Sequence, residues 1–175
     1  MMNKPWVAVI IGSKNDKDKI EKSQLREVLL SCGVNWAESV FSAHRHNLEL
    51  KKYCEKALNE GVKLFIVGAG KAAHLPGTVA AVTNYTIPVL AVAISSTAYP
   101  NALDAELSIS RMPAGCPVAF MGIDGDGFLN AAMVACQIIG SGGDIVSKML
   151  LKKLVAYRES NMDPPEEHYH FHGEE

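Results

Sequence analysis

The stretch Lys63–Gly77, KLFIVGAGKAAHLPG, decides the fold. Its first part, KLFIVGAG, is an apolar run that closes on two glycines, and such a run reads as a strand buried on both faces. From Ala73 the string AHLPGTVAAVTNY reads as a helix, in which Pro76 is tolerable only in the first turn. A buried strand that passes through a short glycine loop into a helix is the building unit of a parallel sheet.

The same unit recurs on either side. WVAVII (6–11) is a second continuous apolar run, meeting Gly12. The following DKDKIEKSQLREVLLSCG predicts one helix from Asp16, a good N-cap, to Gly33, a C-terminal stop. VNWAESVF (34–41) predicts a strand, and NLELKKYCEKALNEG a helix that ends in Gly61. Beyond the central stretch, IPVLAVAI and PVAFMGI predict two more strands. NALDAELSISRM, with Pro113 past its end, and GFLNAAMVACQIIG predict the helices after them. Five strands alternating with helices call for an α/β fold, with a five-stranded parallel sheet covered on both faces. Ligands of such sheets bind beyond the carboxyl ends of the strands, at the switch in strand order.

After Gly143, DIVSKMLLKKLVAYRES predicts an extra C-terminal helix. Its apolar residues Ile145, Val146, Met149, Leu150, Leu151, Leu154 and Val155 cover more than one stripe. A terminal helix needing that much cover is expected to dock on another subunit or to pack within its own chain. The expected organisation is a core of residues 1–143, this helix at 144–160, and a flexible polar tail at 161–175. His168, His170 and His172 alternate in the tail, which suits either a solvated tail or the capture of a stray metal ion.

At 175 residues, 48% apolar and 21% charged, the composition is that of a globular chain with one sizeable core. Lys and Arg number 17 against 19 Asp and Glu, with no basic stripe for nucleic acid and no basic amphipathic helix for a membrane surface. MMNKPWVAVIIGS has no signal-peptide pattern, and no apolar run approaches the ~20 residues that span a bilayer. The expectation is a cytoplasmic protein. Cys32, Cys54, Cys116 and Cys136 lack metal-ligand spacing and are expected to be reduced and buried.

Three loops at predicted strand ends carry the chemistry. In GSKND (12–16), Ser13 can bond a phosphate, and Asp16 can cap the helix or hold a sugar hydroxyl. In SAHRH (42–46), Ser42 offers a hydroxyl and Arg45 a bidentate clamp for phosphate. The imidazole of His44 can both give and take a proton, whereas His46 is expected to begin the next helix in solvent. In GAGKAAHLPG (68–77), Gly68 and Gly70 are expected to let the backbone approach a ligand closely. His74 there is either a helix-terminal structural residue or a ligand contact. Lys71 is a mobile cation, and a lysine at that position implies a backbone without positive φ.

GSKND, SAHRH, GAGKAAHLPG and RMPAGCPVA, in this order and at these separations, resemble the PurE family of purine biosynthesis. The resemblance runs from about residue 7 to residue 140. It implies a three-layer flavodoxin-like fold, a cytoplasmic homo-octamer, and neither metal nor organic cofactor. It implies formation of 4-carboxy-5-aminoimidazole ribonucleotide from a small-molecule ribonucleotide, with carbon dioxide as intermediate. AAHLPG resembles the class that moves the carboxyl group from the exocyclic nitrogen of N-carboxyaminoimidazole ribonucleotide to the ring carbon. The class that carboxylates aminoimidazole ribonucleotide directly has a Gly-Arg-Ser-Asn pattern there instead. Lys71 in place of glycine, HNLE after Arg45, and Arg111 in place of glutamine depart from the mutase pattern and keep direct carboxylation open. A non-enzymatic nucleotide-binding module on the same fold is the competing class. By the resemblance, Ser13 and Asp16 meet phosphate and ribose, and Ser42 and Arg45 hold the phosphate. His44 is the catalytic proton shuttle. Gly70, Ala72, His74 and Leu75 line the base and its carboxyl group, within reach of Lys71. Ala72, Ala73 and Leu75 would form a dry pocket that retains carbon dioxide.

Overall fold

The strands of the sheet run β1 (Val7–Ile11), β2 (Trp36–Val40), β3 (Leu64–Gly70), β4 (Val89–Ile94) and β5 (Ala119–Ile123). All four neighbouring pairs are parallel, and the spatial order is β2-β1-β3-β4-β5. The computed structural model describes residues 4–161. β1, β3 and β4 lie inside the sheet, and their residues are buried along almost their whole length. That burial is why their sequences read as unbroken apolar runs rather than alternating ones.

Alternation appears instead in which layer each side chain joins. Val7, Val9, Ile11, Ile66 and Val92 face a cluster with α1 (Lys17–Glu21), α2 (Leu25–Cys32), α6 (Asp124–Gly140) and α7 (Ile145–Asn161). Ala8, Ile10, Phe65, Val67 and Ala91 face the other cluster, with α3 (Asn47–Glu60), α4 (Leu75–Val82) and α5 (Leu103–Ser110). The result is the expected three-layer α/β fold. Among the described residues no helix is long and apolar enough to cross a membrane.

Two helix boundaries differ from expectation. The predicted helix 16–33 is a 3-10 turn at Lys14–Asp16 followed by two α-helices that part at residues 22–24. Ser23 causes the break, because its hydroxyl donates to the Ile20 carbonyl at 2.7 Å and accepts from Leu25 N–H at 3.3 Å. A serine side chain that satisfies backbone groups in this way competes with the helical ladder. The helix predicted from Gly127 starts three residues earlier, at Asp124, straight out of β5. A Cβ on Gly127 would lie 2.6 Å from the Gly122 carbonyl carbon, so this strand–helix turn closes only with glycine at 127.

α7 packs within its own chain along one stripe. Leu150, Leu154 and Tyr157 are buried in the cluster that also holds α2 and α6. A second stripe, Ile145, Val146, Met149 and Val155, is more than half exposed. The histidine-rich tail lies outside the described residues.

Three of the four free cysteines are buried as expected. Cys116 is only half-buried, set in the loop before β5. Burial pushes the thiols of Cys32, Cys54 and Cys136 up, that of Cys54 to about 11. Thiols so raised stay protonated and are not nucleophiles near neutral pH.

Candidate functional site

The register of the sheet brings the strand ends into line: Ile11 lies opposite Val40 and Gly68, and Gly70 opposite Ile94. The loops that leave β1, β2, β3 and β4 enclose a cleft of about 940 Å³ at this edge. It lies beside the switch in strand order between β1 and β3, where such sheets bind ligands.

Ten of the residues singled out from the sequence line this cleft. Ser13 and Asp16 come from the first loop, Ser42, His44 and Arg45 from the second. Gly70, Lys71, Ala72, His74 and Leu75 come from the third.

In the first loop the cap is Ser13, whose hydroxyl accepts from Asn15 N–H at 3.2 Å. Asp16 makes no capping hydrogen bond, contrary to the reading of it as the N-cap. Its carboxyl is left to face the cleft, and burial raises its pKa above the usual carboxylate value.

The second loop is a tight turn. The Ser42 carbonyl accepts from Arg45 N–H at 3.2 Å and His46 N–H at 2.8 Å, while Ser42 N–H donates to His46 Nδ1 at 3.2 Å. His46 thus opens α3 as expected, and its ring also closes the turn. The turn points His44 and Arg45 outward, and the Arg45 guanidinium has no hydrogen-bond or ion-pair partner among the described residues. An unpaired guanidinium beside a serine at a cleft is suited to an anion.

The third loop corrects three readings. Gly68 is buried under the sheet's own packing: a Cβ there would lie 2.6 Å from Phe128 Cζ, so its missing side chain serves the core rather than a ligand. Gly70 does face the cleft, and a Cβ there would lie 2.7 Å from the Ile94 carbonyl oxygen. Lys71 has φ 57, so the backbone holds a lysine in the left-handed conformation that its presence was expected to exclude. Strain of this kind costs about 1–2 kcal/mol and collects at functional sites. Ala73 turns into the core instead of the cleft, while Leu75 and the exposed Ala72 line it.

The second and third loops meet through their histidines. His44 Nε2 and His74 Nδ1 are 2.8 Å apart, with the rings edge to face. When both rings are neutral, one nitrogen of this pair carries the proton and the other accepts. A proton taken up at His44 Nδ1 lets Nε2 pass its own proton to His74 Nδ1, and the reverse transfer lets Nδ1 give its proton up. The pair can therefore present a base or an acid at the same place.

The fourth wall, Ser95–Ala98 after β4, was not anticipated. Ser95 is fixed by Asp124: its N–H donates to Oδ1 at 3.0 Å and its hydroxyl to Oδ2 at 2.5 Å. Lys19 donates to the Ser95 hydroxyl at 3.0 Å and pairs with Asp124 Oδ2 at 2.9 Å. Burial pushes the Asp124 carboxyl up, but Ser95 and Lys19 outweigh it and hold the group below its usual value. Only a recurrent polar pattern after strand ends, ISSTAYP here, hints at this wall in the sequence.

The chain and its fold have counterparts among known proteins. An N5-carboxyaminoimidazole ribonucleotide mutase of Saccharolobus solfataricus is 41% identical over 89% of this chain and 91% of its own. One from Pyrococcus abyssi is 42% identical over 89% and 83%. The crystal structure of Treponema denticola PurE superposes with a TM-score of 0.73 at 26% identity, covering 90% of this chain and 91% of that one. The family described as AIR carboxylase matches residues 6–163, which takes in the sheet, its helices and all four walls of the cleft. The chain belongs to the AIR carboxylase family.

Proposed function

We propose that the protein forms 4-carboxy-5-aminoimidazole ribonucleotide from N5-carboxyaminoimidazole ribonucleotide, an isomerisation within purine biosynthesis. The observation that carries this reading is the His44–His74 pair, set between an anion clamp and a glycine loop. The relatives of that name at about 40% identity support it.

The reaction needs one proton given and one taken. His44 protonates the carbamate nitrogen, the N–C bond breaks with its electron pair left on nitrogen, and carbon dioxide is released into the cleft. The ring carbon, enriched by the freed amine, attacks that carbon dioxide. The new C–C bond leaves a surplus proton on the ring carbon, which His44 removes to restore aromaticity. Having given the first proton, His44 is already the base for the second, and the bond to His74 keeps its ring oriented through both tasks. Ser13, Asp16, Ser42 and Arg45 hold ribose and phosphate, so that binding energy remote from the reaction positions the ring. Gly70, Ala72, His74 and Leu75 form the seat of the base. Incubation with N5-carboxyaminoimidazole ribonucleotide should give the product absorbance, while aminoimidazole ribonucleotide supplied with dissolved carbon dioxide should give far less. Conversion of aminoimidazole ribonucleotide with carbon dioxide, but not of the carboxylated compound, would make the protein a direct carboxylase. Conversion of neither would leave a nucleotide-binding module.

Lys71 faces the substrate carboxyl group in this reading. Lys71→Gly should relieve the left-handed strain and raise stability by up to about 1 kcal/mol in chemical denaturation. It should also weaken carboxylated nucleotide more than aminoimidazole ribonucleotide in calorimetric titration. Equal effects on both ligands would remove Lys71 from the site.

The working assembly is a homo-octamer in the cytoplasm. The exposed stripe of α7 supports the assembly, and the free, unbridged cysteines support a reducing compartment. Val146→Glu combined with Met149→Glu alters that stripe without touching the buried one. Light scattering should then report a smaller species than the parent protein. An unchanged mass would contradict the role given to α7.

A further inference from the structure

The cleft wall contains a cation that the chemistry above does not use. Lys19 stands on α1, its side chain 27% exposed, and it lines the cleft beside Ser13 and Asp16. Its ammonium carries three N–H bonds. One goes to Ser95 Oγ and one to Asp124 Oδ2, which come from elements 76 and 105 residues away in sequence. The third has no partner among the described residues. Asp124 is itself held in a left-handed conformation, φ 48, with both carboxylate oxygens committed to Ser95. The ammonium is therefore not a free surface charge, because it is aimed by two fixed acceptors.

On the reading that the ligand is a ribonucleotide, we propose that Lys19 is a positioning residue whose third N–H meets the substrate phosphate. Electrostatics leads the same way. Asp16 lines the cleft, Asp124 holds Ser95 of its fourth wall, and both interact with Lys19. Without the ammonium, an incoming dianion would meet two carboxylates with no counter-charge between them, and like charges at close range repel strongly. Arg45 lines the cleft from the loop after β2 and Lys19 from α1, so a phosphate in the cleft has a cation on each of two elements. The tie to Ser95 also registers the fourth wall of the cleft against that loop.

The test measures affinity for 4-carboxy-5-aminoimidazole ribonucleotide and for its riboside, which lacks the phosphate. Lys19→Met should weaken the ribonucleotide by roughly ten- to hundredfold, the scale of one charge-assisted hydrogen bond. The riboside should bind the variant as it binds the parent. In turnover, KM should rise while kcat stays near the parent value, and Lys19→Arg should restore most of the affinity. Lys19→Gln, which keeps a polar contact to Ser95 without the charge, should behave like Lys19→Met and serves if the latter folds poorly. Equal loss of both ligands, or unchanged ribonucleotide binding, would overturn the assignment. Absence of turnover by the parent protein would instead sink the isomerase reading, because the ribonucleotide-to-riboside comparison is read from binding alone.

Discussion

His44→Asn should lower kcat by roughly two to four orders of magnitude, the usual range for loss of a general acid–base group. Nucleotide affinity should stay close to that of the parent. Asparagine keeps a polar side chain of similar reach, but it cannot exchange a proton near neutral pH. It also leaves His74 Nδ1 without the imidazole that lies 2.8 Å away. Arg45→Ala should show the opposite pattern, with binding of phosphorylated ligands weakened first, because the guanidinium has no structural partner to lose. Steady-state kinetics and calorimetry on the two variants separate the roles. A His44→Asn enzyme with near-parent turnover would remove the proton shuttle from the mechanism.

The second large effect concerns stability. Phe128→Ala should cost about 3–5 kcal/mol, the range for truncating a fully buried phenylalanine. Phe128 is 0% exposed, and its ring rests on the backbone of β3 at Gly68 with Ile94 of β4 alongside. α6 would lose its main hold on the two strands whose ends build the cleft. Guanidinium denaturation measures the change through the shifted midpoint. A loss below about 1 kcal/mol, the size of an ordinary substitution, would mean that α6 is held mainly by other contacts.

What could be read from the sequence follows from the range of the interactions concerned. β3 was legible because burial on both faces leaves an unbroken apolar string in KLFIVGAG. Gly33 and Gly61 mark helix ends because the left-handed cap is a local requirement. The break at Ser23 is also local, but it turns on one hydroxyl choosing a backbone carbonyl, and the apolar period runs straight through it. The early start of α6 depends on Gly122 and Gly127 pressing together and on Asp124 reaching Ser95, neither of which leaves a periodic trace.

The site divides in the same way. Each of its first three loops was visible because polar residues follow a predicted strand. The pairing of His44 with His74, 30 residues apart, and the tie of Lys19 to Ser95 and Asp124 exist only once the sheet has aligned the strand ends. Lys71 misled for a related reason. Residue type predicts φ only as a local preference, and the closure of the loop between β3 and α4 overrides it.

Carbon tracing tests the central claim most directly. The protein is supplied with N5-carboxyaminoimidazole ribonucleotide labelled with carbon-13 in its carboxyl group, in buffer containing unlabelled carbon dioxide. Mass spectrometry then reads the carboxyl carbon of the product. Isomerisation with retention of the released gas in the cleft predicts product that carries the label. Product whose carboxyl carbon comes from the unlabelled pool would contradict it and identify the direct carboxylation.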